Sequence, residues 1–125
     1  MKASHRSLDD WLDDLLVNAE KIVVHTADLR FEQFAGDEAV RDLVTRKLEI
    51  IGEAARYIRE LHPDFYAGAT TLPWRELHKT RNFLIHAYFD VLPAILWETA
   101  RDSVPLFLAE LRRVVDNRRR ETDRE

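Results

Sequence analysis

An arginine, a histidine and a tyrosine stand close together in the run Lys79-Thr80-Arg81-Asn82-Phe83-Leu84-Ile85-His86-Ala87-Tyr88. Arg81 precedes His86 by five positions, and Tyr88 comes two later. A guanidinium is permanently charged and presents a planar fork of donors that matches phosphate oxygens. An imidazole accepts and donates protons near neutral pH. Together they suit cleavage of RNA without a metal. A ribose 2′-hydroxyl attacks the adjacent phosphate, the imidazole assists proton transfer, and the guanidinium stabilises charge on the phosphoryl oxygens. Asn82 can orient either partner by hydrogen bonding. Geometry sets a condition on this chemistry. On a regular helix, five residues turn through about 140° beyond a full circle, so Arg81 and His86 share no face. They converge only if the helix ends or distorts near His86, or if the long Arg81 side chain reaches around. An imidazole near a helix end also commonly does no more than cap carbonyls. Spacing alone does not separate these readings.

The elements that must position these residues read as helices. Ser7 is placed to cap a first helix from Leu8 to His25, with Asp9 and Asp10 in its first turn opposing the macrodipole. Trp11, Leu12, Leu15, Leu16, Ala19, Ile22 and Val23 recur along it at helical spacing. Thr26 to Gly36 reads as a connector with one helical turn around Leu29 to Phe34. A second helix starts after Asp37 and runs to Leu61, where His62-Pro63 stops it. Gly52 within it either permits close helix approach or is a tolerated defect costing about 1 kcal/mol against Ala. A loop over Asp64 to Thr71 leads to a third helix from Pro73 to His86, with Thr71 a possible cap. Trp74, Leu77, Arg81, Leu84 and Ile85 mark its inner side. A turn over Ala87 to Val91 precedes a fourth helix from Leu92 to Asn117, capped by Asp90. Pro105 must bend that helix or divide it.

Four to five amphipathic helices with short connections imply an all-α, up-and-down bundle. One domain over residues 1–117 is expected, with a charged, disordered tail over residues 118–125. Phe31, Phe34, Phe65, Tyr66, Phe83 and Phe89 either close the core or cover a dimer face.

The 125 residues include 3 glycines, 4 prolines and no cysteine. Disulfides, thiolate zinc sites and a cysteine nucleophile are thereby excluded. No apolar stretch comes after Lys2 and Arg6, and none approaches the length of a bilayer. A soluble, cytoplasmic protein is expected, without a membrane partner. The net charge of −4 argues against a general nucleic-acid coat. Any RNA chemistry must rest on a local site, with Arg75 and Lys79 as further phosphate contacts. Asp9, Asp10, Asp13 and Asp14 are expected on faces away from it. His5, His25, His62 and His78 do not pair at metal-ligand spacing, although His78 lies one turn before Arg81 and could border the site. Arg46, Lys47 and Glu49 read as a solvated face. Glu49 and Glu53 share a helix face but lack the second acidic pair of a carboxylate metal centre. No metal site is expected. There is no Walker loop or dinucleotide glycine fingerprint, so no cofactor is expected either.

The run from Arg81 to Tyr88 resembles the Arg-x4-His-x-Tyr signature of HepT-like HEPN proteins. Leu48-Glu49-Ile50-Ile51-Gly52-Glu53-Ala54-Ala55 resembles the second-helix segment of that family, and Leu72-Pro73-Trp74-Arg75-Glu76-Leu77 its lead-in to the motif. Tyr88-Phe89-Asp90-Val91 and then Trp97 resemble the family's stretch just beyond the motif. The likeness spans Leu8 to Val115. It implies a HEPN-like bundle that forms a homodimer, with two Arg/His motifs meeting in a cleft between subunits. Arg81 and His86 match the ribonuclease residues. The resemblance further implies a metal-independent endoribonuclease toxin of a type II or VII toxin–antitoxin pair. Its antitoxin would be an MntA-type nucleotidyltransferase that silences it by moving AMP onto Tyr88. The alternative is a non-catalytic helical subunit that accompanies the nucleotidyltransferase.

Overall fold

The computed structural model describes residues 3–86 and 91–124. After a 3-10 turn at Ala3–His5, helix α1 runs Leu8–Thr26. Ser7 caps it as its sequence position predicts. The Ser7 hydroxyl accepts from the Asp10 N–H at 3.2 Å, and Asp10 Oδ2 accepts from the Ser7 N–H at 2.9 Å. The reciprocal pair satisfies two end donors at once. Ser7→Ala is expected to cost about 1 kcal/mol. The urea midpoint should fall with its slope unchanged, and an unmoved midpoint would show that the cap contributes nothing.

The remaining elements are α2 (Phe31–Ala35), α3 (Glu38–Leu61), α4 (Pro63–Gly68), α5 (Trp74–His86), α6 (Pro93–Glu98) and α7 (Val104–Arg124). Asp37 caps α3, its carboxylate accepting from the Val40 N–H at 3.2 Å. The segment expected as a loop after Pro63 is helical instead, because that proline suits a first helical position as well as it stops the helix before it. Thr71 does not cap α5, which begins three residues later; its hydroxyl accepts from Arg113 at 3.3 Å. The cap of α6 is Leu92, and Asp90 lies outside the described residues.

The helix expected from Leu92 to Asn117 is divided into α6 and α7, and Pro105 is the second residue of α7. A five-residue π-helical turn, Thr99–Ser103, joins α6 to α7 just before it. In a regular helix the proline ring would meet the carbonyl four residues back, which belongs to Arg101. The wider turn takes up that conflict. Arg101 then reaches across to α1, donating to the carbonyls of Thr26 at 2.9 Å and Ala27 at 3.1 Å. A cation placed there satisfies end carbonyls and opposes the α1 dipole.

The core lies where α1, α3 and α7 meet, with Phe34 of α2 closing one end. Leu15, Ile22, Val44, Ile51, Ile58 and Leu111 are fully buried there. The segment expected as a disordered tail is helical to Arg124, and Arg118 pairs with Asp9 at 2.9 Å. Among the described residues, no helix is long and apolar enough to cross a membrane.

Helix α5, which carries the Arg–His pair, docks on α3. Trp74 anchors its start: the indole N–H donates to the Ala69 carbonyl at 3.0 Å, and the ring lies 4.8 Å from that of Tyr66. Leu84 is buried near its other end, but Ile85, expected inside, is 44% exposed. Between α5 and the α6–α7 arm runs an apolar furrow floored by Leu48 and Ile51 of α3. Phe83, Ile95 and Leu106 stand exposed near it.

Candidate active site

Helix α5 presents its polar residues in two directions. Arg75, Lys79, Asn82 and His86 are all exposed. At 100° per residue they fall within an arc of about 60°. Three of the four can carry positive charge or a proton. Arg81 points elsewhere, about 140° around the helix from His86. The helix is regular over its described span, Trp74–His86, so one chain does not bring the two side chains together along α5. Tyr88 lies outside the described residues.

Arg81 faces α3. Its Nη2 lies 2.7 Å from Glu53 Oε2, with the Arg81 side chain 25% exposed. This contact explains Gly52. A Cβ built at Gly52 would fall 2.3 Å from the Arg81 Cβ, closer than real atoms approach. Of the two readings open in the sequence, close helix approach is the one the packing supports. The glycine lets α5 sit low on α3 at the residue that carries the guanidinium.

Around Arg81 lies a shallow hollow of about 340 Å³ lined by Arg6, Arg46 and Arg81 and by Asp14, Glu49 and Glu53. Positive and negative charges balance there, three against three. Asp14, expected on a far face, sits in the same hollow, 2.6 Å from Arg6. Arg46 and Glu49, expected on a solvated face, pair at 3.7 Å on its rim. The Glu53 carboxyl is held below the usual carboxylate range, first by its hydrogen bond from Arg56 and then by the charge of Arg81. It is therefore ionised at neutral pH. His78, one turn before Arg81 on α5, lies 3.2 Å from the Tyr66 hydroxyl. Burial lowers its pKa, with the charges of Arg59 and Arg81 adding to the effect, so it is neutral at physiological pH. Among the described residues, no group of three or more acidic or histidine side chains is gathered to hold a metal ion.

The chain matches the model of the family described as "Ribonuclease HepT-like" over residues 15–114. It belongs to the HepT-like ribonuclease family. The match begins within α1 and ends within α7, so it takes in the whole of α5 and its partner α3. The protein named "Probable ribonuclease HepT" from Thermococcus cleftensis is 39% identical over 109 residues, which cover 84% of this chain and 90% of that one. "Putative RNase MJ1380" from Methanocaldococcus jannaschii is 36% identical over 108 residues, covering 86% and 96%. "Putative RNase TTE0752" from Caldanaerobacter subterraneus is 34% identical over 95 residues, covering 76% and 82%. No solved structure matches the chain.

Membership of a ribonuclease family makes RNA the substrate class and phosphodiester cleavage the reaction class. For a HepT-like chain, the residue that motif reading passes over is Glu53. Its sequence signal is faint: a carboxylate directly after a mid-helix glycine, four positions after another glutamate. Arg56 of its own helix is one partner, and only the packing of α5 on α3 brings the second, Arg81.

Proposed function

We propose that this HepT-like protein is a metal-independent endoribonuclease toxin whose site combines Arg81 and His86 across two copies of the chain. The ribose 2′-oxygen attacks phosphorus, and the bond to the departing 5′-oxygen breaks. His86 assists the proton transfers, and the products are a 2′,3′-cyclic phosphate and a free 5′-hydroxyl. Arg81 stabilises the negative charge that builds on the non-bridging oxygens. Arg75 and Lys79 hold flanking phosphates, and Asn82 orients the reacting groups.

One observation carries this reading: the basic arc of α5 ends in an exposed His86, while Arg81 turns away toward α3. A cleft between two copies supplies both directions at once. The exposed Phe83, Ile85 and Ile95 beside that arc give a second copy an apolar surface to cover. The arc also answers the objection raised by the net charge, since a local track of cations is what a phosphate backbone requires.

The test is cleavage of a defined RNA in EDTA, compared with the same sequence as DNA. RNA should be cut to cyclic-phosphate ends and DNA left intact, since it lacks the 2′-hydroxyl. Cleavage that needs an added divalent ion, or that proceeds equally on DNA, removes the reading.

The antitoxin in this reading is an MntA-type nucleotidyltransferase that transfers AMP to Tyr88, two residues beyond His86. The phosphate so added brings negative charge and bulk beside the site and repels an RNA backbone. Incubated with such a partner and ATP, the chain should gain the mass of AMP, and Tyr88→Phe should gain none. Modification that persists in Tyr88→Phe would move the regulatory role to another residue. A stable complex with the partner, but no cleavage by the free chain, would favour the non-catalytic subunit instead.

A further inference from the structure

The two oxygens of Glu53 are divided between two arginines. Oε2 faces Arg81 Nη2 at 2.7 Å, and Oε1 accepts from Arg56 Nη2 at 2.6 Å. Arg56 is itself held on two sides. Its Nη1 donates to Glu60 at 3.0 Å, and its guanidinium lies 4.3 Å above the Tyr57 ring. The Tyr57 ring stacks on Trp11 of α1, with centroids 4.7 Å apart and planes at 14°. Trp11 is buried, and the Arg6 guanidinium covers its other face at 4.1 Å. A column of two stacked rings between two cations thus runs from Arg6 through Trp11 and Tyr57 to Arg56 and Glu53, and Glu53 ends it on Arg81.

We propose that Glu53 is a positioning residue for the ribonuclease reaction: it holds Nη2 of the Arg81 guanidinium and leaves Nη1 and Nε to meet a phosphoryl oxygen. Among the described residues Arg81 has no other ion-pair partner. The guanidinium is planar and its donors are fixed relative to one another, so anchoring Nη2 limits the directions the remaining donors can take. An arginine side chain alone is long and rotamer-rich, and aiming it at a transition state costs entropy. Glu53 meets that cost in advance, because Arg56 and the ring stack hold the carboxylate still. Simple stabilisation of the fold does not account for the arrangement, since pairs this exposed contribute little to stability. The proposal rests on Arg81 being the catalytic guanidinium.

The test compares the full-length wild type with Glu53→Ala, Glu53→Gln and Arg81→Ala. Cleavage of a short RNA gives kcat and KM. Binding of a 2′-O-methyl copy, which cannot be cut, gives affinity, and thermal melts control for folding. Glu53→Ala should lower kcat about 10- to 100-fold. Its KM and its affinity for the uncut copy should be no weaker than wild type, because a negative charge has been removed from beside a phosphate site. Glu53→Gln keeps a hydrogen-bond acceptor and should fall between the two. Arg81→Ala should be the least active of the set.

A Glu53→Ala chain with wild-type kcat, beside an inactive Arg81→Ala, overturns the positioning role and leaves the catalytic arginine standing. An Arg81→Ala chain indistinguishable from wild type overturns both. A Glu53→Ala chain whose lost kcat comes with weaker binding and a lowered melting temperature shows that the pair serves the fold, and the proposal fails.

Discussion

Replacing His86 with alanine is expected to slow RNA cleavage by about 10²- to 10⁴-fold, the range spanned by one well-placed general acid–base group. His86 is exposed and ends α5, so its removal opens no cavity. Away from cores and caps, surface substitutions typically stay within about 0.5 kcal/mol. The melting temperature should therefore hold while the rate collapses. That contrast separates a chemical role from the bland alternative, an imidazole that only satisfies helix-end carbonyls. Under the alternative, stability would fall slightly and the rate would drop in proportion. Rates in EDTA and melts of the same preparations decide it. A variant cutting at the wild-type rate would remove His86 from the mechanism and point to a contaminating nuclease.

Gly52→Ala should damage both fold and site, although alanine is the better helix former by about 1 kcal/mol. The new methyl would have to occupy space 2.3 Å from the Arg81 Cβ, and that atom is fixed to the α5 backbone. The helices must part locally, and forced overpacking of this kind costs about 1–3 kcal/mol. The net effect is a loss of stability, with α5 lifted off α3 at the residue that Glu53 grips. Cleavage should fall further than the melting temperature alone explains. Gly68→Ala is the matched control, because nothing lies within 4 Å of a methyl built there. If Gly52→Ala is as stable and as active as that control, the close approach has no consequence.

The features legible along the chain were local. Ser7 and Asp37 announced the starts of α1 and α3 because their side chains bond the N–H groups three residues on. His62-Pro63 marked the end of α3, since a proline restricts the residue before it. The features that stayed hidden were tertiary. Nothing around Arg81 says which carboxylate it meets, because Glu53 lies on another helix and is brought close by a missing side chain at Gly52. Ile85 comes directly after the inner residue Leu84 yet stands exposed, because it lies at the margin of the contact between α5 and α3. Asp14 looked remote because the fold of α1 against α3, not chain distance, carries it to Arg81. The motif itself was legible, but its two halves diverge on a regular helix, and no amount of spacing supplies the second copy that would reunite them.

The wide turn at Thr99–Ser103 fixes a count as well as a path. Leu96, Ala100 and Val104 all point inward, at intervals of four. In an unbroken α-helix each such interval would drift about 40° from the last. The turn acts as a phase corrector that absorbs the drift before α7 sets out. Drop one residue from it, and Phe107, Leu108, Leu111 and Val115 would swing round by roughly a quarter-turn or more, into water, while Arg101 let go of the end of α1. Between Leu96 and Val104 the chain is therefore metered, and length variation among relatives should be sought in the connectors instead.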